Sequence, residues 1–203
     1  MLGGFLIIGD DVLSILQTLK DRRSIHTFTR EEVAPEILER IFTYASYAPT
    51  HYLTESWNVD VFQREGKARF IDAIMDSYAR IGFLPNIHEA KTIQMVASMK
   101  QFLHEIPHHI VIHFEPPEDL VRYEEEFASV SAFIQNAQLA GWELGVGMLW
   151  TITPYIHDPY FLENIGLSRT TKIVGVMQVG YPEKVPAFRE RTPIQEKMQF
   201  INE

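Results

Sequence analysis

The sequence predicts an α+β domain, and three observations carry that reading. Four stretches have strand patterns, near residues 57–61, 108–114, 146–152 and 172–180, and helical periodicities separate them without the steady alternation of a doubly wound parallel sheet. A chain of 203 residues has the length of one medium domain. No internal repeat, low-complexity segment or convincing boundary divides it, so a single domain is expected over residues 12–203. Residues 1–11 read as an amino-terminal extension.

Val12, Leu13, Ile15, Leu16 and Leu19 mark an amphipathic helix, which the segment DRRS terminates before an extended IHTF. Pro35 stands at a favourable first helical position, and Ile37, Leu38, Ile41, Phe42 and Ala45 predict a second helix ending near Pro49. After the loop THYLTES, Trp57, Val59 and Val61 alternate with Asn58 and Asp60 as in a strand with one packed face, and Gly66 is expected to end it. Two helical patterns follow, from Phe70 to Ile81 and from about Ile87 to Leu103, and they are candidates to cap a pocket.

HHIVIHF is the second strand, stopped by Pro116 and Pro117. A long helix is expected from about Asp119 to Leu144, ending at the glycines 145 and 147, and VGMLWTI is the third strand. Asp158-Pro159 caps a short helix. KIVGVMQVG is apolar almost throughout and should be a central strand. The remainder, with three prolines and four basic residues in YPEKVPAFRERTPIQEKMQF, reads as a C-terminal arm over a surface.

Composition bounds the function. A hydrophobic fraction of 46% with 22% charged residues is that of an ordinary globular protein. Eighteen basic residues against twenty-seven acidic ones give a formal charge of -9, which argues against nucleic acid as a partner while leaving room for a local anion pocket. The chain has no cysteine, so disulfides, thiolate metal sites and a cysteine nucleophile are excluded, and redox chemistry needs a borrowed cofactor. GGFLIIG is short, follows no basic residue and precedes Asp10 and Asp11, so it resembles neither a signal peptide nor a spanning helix. A cytoplasmic location and no membrane association are expected.

Against that acidic background, Arg22, Arg23 and Ser24 place two guanidinium forks and a hydroxyl together, which suits a terminal phosphate. The alternative is a helix C-terminus whose arginines complement the dipole. His51, Thr50 and Thr54 lie in a polar loop able to face a ligand. Trp150 suits either a core or a ring-stacking wall, and a second arginine cluster, Arg189 and Arg191, lies in the tail.

Four segments, RRSIHTF, APTHYLTESWNVDVF, IQNAQLAGWELGVGMLW and IVGVMQVGYPEK, together resemble the FMN-dependent nitroreductase family in order and spacing, over nearly the whole chain after the first dozen residues. The resemblance implies a nitroreductase-like fold, with a central, mainly antiparallel sheet flanked by helices. It implies FMN, with NADH or NADPH as electron donor, and ping-pong hydride transfer through flavin N5 to a nitroaromatic, quinone or related electron-poor acceptor. By the same resemblance Arg22, Arg23 and Ser24 would hold the phosphate and ribityl chain, with Arg191 a further phosphate partner. Trp150 and Thr151 would line the isoalloxazine ring. His51 would approach from the neighbouring subunit of a homodimer with FMN at the interface. No side chain is expected to be catalytic in its own right, since the flavin carries the chemistry. A flavin-binding carrier or sensor without turnover is the alternative.

Two positions depart from the family pattern. His26 stands where lysine or arginine is usual, exchanging a permanent charge for a pH-dependent one, and Ser56 stands where many members have proline, freeing the loop. Other features carry less. His104, His108, His109 and His113 invite a metal site, but His109 and His113 share one strand face while His108 points away, and no carboxylate has ligand spacing, so no metal is expected. Gly141, Gly145 and Gly147 end a helix and begin a strand, the reverse of a dinucleotide-binding loop.

Overall fold

Two strands without a polar face decide the architecture. In the computed structural model, which describes residues 15–84, 86 and 88–202, strands β2 (His108–Phe114) and β4 (Lys172–Gly180) are buried over nearly their whole length. Strands covered on both sides belong inside a sheet. They pair with each other, while β1 (Asn58–Phe62) takes the free edge of β2 and β3 (Gly147–Thr151) that of β4. The order is β1–β2–β4–β3 with every pair antiparallel, and β4 is central as expected. The predicted extension, residues 1–11, and the helical positions Val12 and Leu13 lie outside the described residues.

Helices cover both faces. On one, α2 (Pro35–Ala45) and α5 (Leu120–Glu143) close a core of Leu38, Ile41, Phe133 and Ile134 against Ile110, Ile112, Val174 and Met177. On the other, α3 (Arg64–Arg80) and α6 (Pro159–Asn164) bury Phe70, Ile74 and Phe161 against Val111, Ile173 and Val176, with α4 (Ala90–Glu105) packing outside them through Val96, Met99 and Leu103. Odd and even residues of β2 thus serve different layers, as the pleat requires. The β2–β4 register shifts after Ile112, which pairs with Gly175 while His113 pairs with Ile173. This bulge leaves Val174 unpaired and resets the alternation along β4.

Local chemistry sets the helix ends. Pro35 opens α2, Asp119 accepts the N–H of Arg122 at 2.9 Å to open α5, and Asp158 accepts that of Tyr160 at 3.0 Å ahead of Pro159. Gly145, at φ 73°, turns the chain out of α5 towards β3. The expectation that Gly66 ends the first strand is corrected: β1 stops at Phe62 and Gly66 lies in the exposed first turn of α3. There Phe70, Ile71 and Ile74 pull the helix onto the sheet and override the glycine, whose cost in a helix is only about 1 kcal/mol. The expected start of α4 near Ile87 moves to Ala90.

The histidines of β2 divide as their alternation predicts. His108 is fully buried towards α2, and its Nε2 accepts the backbone N–H of Val33 at 2.9 Å. His109 points to the other layer, where its Nε2–H donates to the Leu103 carbonyl at 2.9 Å and the ring tilts against Phe70. His113 shares that layer and meets Asp60 at 3.1 Å. Nearby, the Lys67 ammonium donates to the carbonyls of His104 and Ile106, so the C-terminal end of α4 is tied down by two side chains.

Burial disfavours the imidazolium at both inner positions. His108 is held below the ordinary histidine value mainly by desolvation, and His109 is pushed down to about 4 by the same cause, the Leu103 carbonyl opposing it. In the unfolded chain each regains a value near 6.5. Between pH 6.5 and 4 the unfolded chain therefore binds more protons, so the stability contributed is complete above about 6.5 and lost as pH falls through that window. For His109 the loss should reach ~3 kcal/mol, read as the change in unfolding free energy in urea between pH 7 and pH 4. His109→Gln, which keeps an N–H for the Leu103 carbonyl, should flatten that dependence; an unchanged slope would show that the proton uptake lies elsewhere.

Candidate functional site

The arginine pair is positioned by what lies immediately around it. Helix α1 (Ile15–Asp21) is tied to α5 by a hydrogen bond from the Thr18 hydroxyl to Glu143 and is continued by the Arg22 N–H on the Thr18 carbonyl at 2.9 Å. The chain then runs extended beside β3. Ser24 forms a parallel bridge with Met148, and the Ile25 N–H donates to the Met148 carbonyl at 3.1 Å. Ile25 is completely buried against Gly147, where an added Cβ would lie 2.7 Å from its Cγ1 and 2.9 Å from Pro182. That close approach explains a glycine opening β3.

The same segment then meets the chain leaving β4. Phe28 bridges Pro182, the Thr29 N–H donates to the Tyr181 carbonyl at 2.8 Å, and the Glu183 N–H donates back to Thr27 at 3.1 Å. The root of the C-terminal arm is thereby fixed next to the arginines. Further along, the Arg23 guanidinium lies over the Phe188 ring at 5.1 Å.

Between the end of α1 and the arm lies a cavity of about 540 Å³ lined by Lys20, Arg22, Arg23, Ser24, His26, Phe188, Arg189 and Arg191, among others, with no carboxylate in its wall among the described residues. Arg22 is half-buried with its Nε enclosed and without a hydrogen-bond partner among the described residues. Burial holds its guanidinium below the usual arginine range, and the like charges of Arg191 and Arg23 push the same way. A bound anion relieves all three. Arg23 also serves the helix end, its Nη1 donating to the carbonyls of Lys20 at 2.7 Å and Arg22 at 2.9 Å. The dipole-complementing alternative therefore describes part of Arg23, whereas Arg22 has no such carbonyl contact through its Nε.

The other candidate residues lie apart from this cavity within one chain. Trp150 sits half-buried on β3, its Nε1–H donating to the Val174 carbonyl at 3.3 Å, and a Cβ on Gly175 would fall 2.0 Å from that nitrogen. The Thr151 hydroxyl donates to the Val176 carbonyl at 2.9 Å. Both belong to the strand that Ser24 pairs with, so the sheet links them to the arginines. His51 is exposed, stacked on Tyr52, with Nδ1 2.8 Å from a Glu125 oxygen at a separate cavity of about 380 Å³ beside α5. Its loop holds Tyr52, Leu53 and Glu55 at φ 49°, 54° and 44°, conformations that L residues rarely adopt.

Lys20 and Phe188 were not singled out from the sequence, yet both line the basic cavity. Lys20 falls one residue before DRRS, and Phe188 sits beside the tail arginines, so proximity to basic clusters was the available signal. Helices α3 and α4, expected as possible pocket caps, contribute nothing to that cavity; α3 is core. Among the described residues no cluster of histidines and carboxylates is arranged to hold a metal ion.

Comparison with known proteins identifies the family and the fold. The sequence model described as "Nitroreductase family" matches residues 19–181. "Putative NAD(P)H nitroreductase YfhC" of Bacillus subtilis (strain 168) is 29% identical over 180 residues, covering 88% of this chain and 90% of the relative. The crystal structure of a nitroreductase-like family protein from Bacillus cereus superposes with a TM-score of 0.85 at 32% identity, covering 96% of this chain and 99% of the other. The FMN and NADPH-dependent nitroreductase NfnB from sphigopyxis sp. strain HMH shares the fold, with a TM-score of 0.73 at 16% identity over 94% of this chain and all of that one. With the family match running from the end of α1 to the exit of β4, the chain belongs to the nitroreductase family and is an oxidoreductase.

Proposed function

We propose that the protein is an FMN-dependent NAD(P)H oxidoreductase that reduces nitroaromatic, quinone or related electron-poor acceptors in a ping-pong cycle. The observation that carries this reading is the basic cavity at the end of α1, which Arg22, Arg23, Ser24 and Arg191 line together with no carboxylate among the described residues. The residues fit FMN's terminal phosphate: the enclosed Arg22 Nε wants an acceptor, and a dianion offsets the mutual repulsion of the arginines. When bound, FMN supplies the ring that takes a hydride from the nicotinamide donor and passes it on to the acceptor. The chain's own task is to hold the phosphate, orient the ring and exclude water. Ser24, through its bridge to β3, sets the phosphate end relative to Trp150 and Thr151, the residues assigned to the ring.

A homodimer completes the site in this reading, with His51 contributed across the interface. Its support is apolar surface that a lone chain leaves in water. Tyr52 is 91% and Leu53 79% exposed on the strained loop, and Phe200 and Ile201 are 76% and 82% exposed on the arm. Contact with a partner also gives the left-handed loop residues a reason to persist. No helix among the described residues is long and apolar enough to cross a membrane, and a cytoplasmic location goes with this reading.

Arg22→Ala should weaken FMN binding about 10- to 100-fold, the equivalent of one lost charge-assisted phosphate contact, with an unchanged far-UV spectrum and unfolding midpoint. Equal FMN affinity in that variant, by fluorescence titration, sinks the phosphate assignment. Anaerobic NADPH or NADH should bleach the bound flavin, and a nitroaromatic or quinone should restore its colour. Flavin that stays oxidised under both donors favours a carrier or sensor. Mass in solution should be that of two chains; a monomer that retains FMN contradicts the shared site.

A further inference from the structure

The cavity at the end of α1 has one wall residue whose charge is not fixed. In the extended segment after Arg23, Ile25 is completely buried while Ser24 and His26 on either side of it are exposed. That is the alternation of an extended chain, and it carries Ser24 and His26 onto the cavity wall together. Backbone hydrogen bonds from Ile25 to Met148 and from Thr29 to Tyr181 pin the segment before and after His26, so its ring is held at the wall.

Nothing in the fold uses this ring. His108, His109 and His113 are engaged in the core and His51 meets Glu125, whereas His26 makes no hydrogen bond or ion pair among the described residues. The charged groups lining the cavity with it are all cations, Lys20, Arg22 and Arg23 beside α1 and Arg189 and Arg191 on the arm, with no carboxylate among the described residues. From β3 the segment meets Gly147 and Met148, which carry no charge. On the chain leaving β4, Glu183 meets Thr27 through its backbone N–H and does not line the cavity. The imidazole therefore has no anionic partner of its own among the described residues, and a ligand phosphate would be the first. Histidine is the side chain that ordinarily changes charge between about pH 5 and pH 8.

We propose that His26 couples FMN binding to proton uptake, so that the protein holds FMN more tightly as pH falls. The proposal rests on the FMN-dependent reading above and adds regulation to it. An imidazolium attracts the anionic ligand and a neutral imidazole does not, so binding and protonation favour each other. The proton comes from solvent, bonds to an imidazole nitrogen and returns to solvent when FMN leaves. The arginines, charged at every working pH, supply the affinity that does not vary, and His26 supplies the part that does. FMN's own phosphate works in the opposite sense, since its second ionisation, near about pH 6, adds negative charge as pH rises. That contribution is common to every residue placed at position 26, so the effect of His26 is read as a difference between variants.

The test measures FMN affinity by fluorescence titration of full-length protein freed of flavin, at about pH 5.5 and about pH 8, in wild type, His26→Lys and His26→Gln. Wild type should match His26→Lys at the lower pH and bind roughly 3- to 10-fold more weakly than it at the higher. His26→Gln should be weaker than His26→Lys by a similar factor at both. Calorimetry in two buffers of different ionisation enthalpy should show that wild type takes up more protons on binding FMN than either variant. A pH dependence shared by all three proteins overturns the proposal, as does equal proton uptake in all three. Loss of FMN binding at both pH values in both variants overturns it too, because His26 is then needed whatever its charge. Wild type that takes up no FMN at either pH defeats the oxidoreductase reading itself, whereas FMN binding indifferent to position 26 defeats only the coupling.

Discussion

Three backbone hydrogen bonds hold the site in register: Ile25 to Met148, Thr29 to Tyr181, and Glu183 to Thr27. They stitch one short extended segment to β3 on one side and to the chain leaving β4 on the other. Everything cationic in the cavity hangs from those stitches, Arg22 to Ser24 just before the segment and Arg189 and Arg191 just beyond the root of the arm. Individually such bonds contribute about 1 kcal/mol, but Gly147, hemmed in by buried Ile25 and by Pro182, leaves them no room to slip. Register here is therefore a packing problem, solved by a glycine where any side chain would collide.

That arrangement separates what stabilises the fold from what the site requires. The two apolar layers bury Phe70, Phe114, Phe133 and Phe161 on either side of the sheet, far more apolar surface than the cavity. The cavity instead concentrates like charges, which repel one another and hold Arg22 below its ordinary range. Local electrostatic cost borne by a well-packed scaffold is common where a protein awaits a ligand of opposite charge. It also gives a reason for five of the chain's eighteen lysines and arginines to line one cavity at the end of α1.

Much of this was legible in the chain itself. Asp119 and Asp158-Pro159 announced helix starts because caps act within a single turn, and the β2 histidines divided correctly between layers because a strand's period of two is rigid. Gly66 misled because a glycine in an exposed first helical turn looks the same as one ending a strand until Phe70 and Ile74 find their sheet. Trp150 could not be assigned from its neighbours, since the glycine that receives its indole comes from another strand. Arg22 and Arg191 were both singled out, but only the fold brings them to one wall. Lys20 and Phe188 escaped notice for the same reason: a cavity is a tertiary object, and its members need share no pattern.

The union of Arg22 with Arg191 has a consequence for how the protein comes into being. On the ribosome, Arg22 and Arg23 emerge well before β4, the Tyr181 carbonyl that anchors Thr29 and the arm's cations. The basic pocket therefore closes only after the sheet has gained its second central strand. A truncated product can hold helices and much of the first core yet present half a pocket. Formation of the basic pocket therefore waits on β4 and the arm, and any stabilisation that a bound anion adds by mass action goes selectively to molecules that carry both.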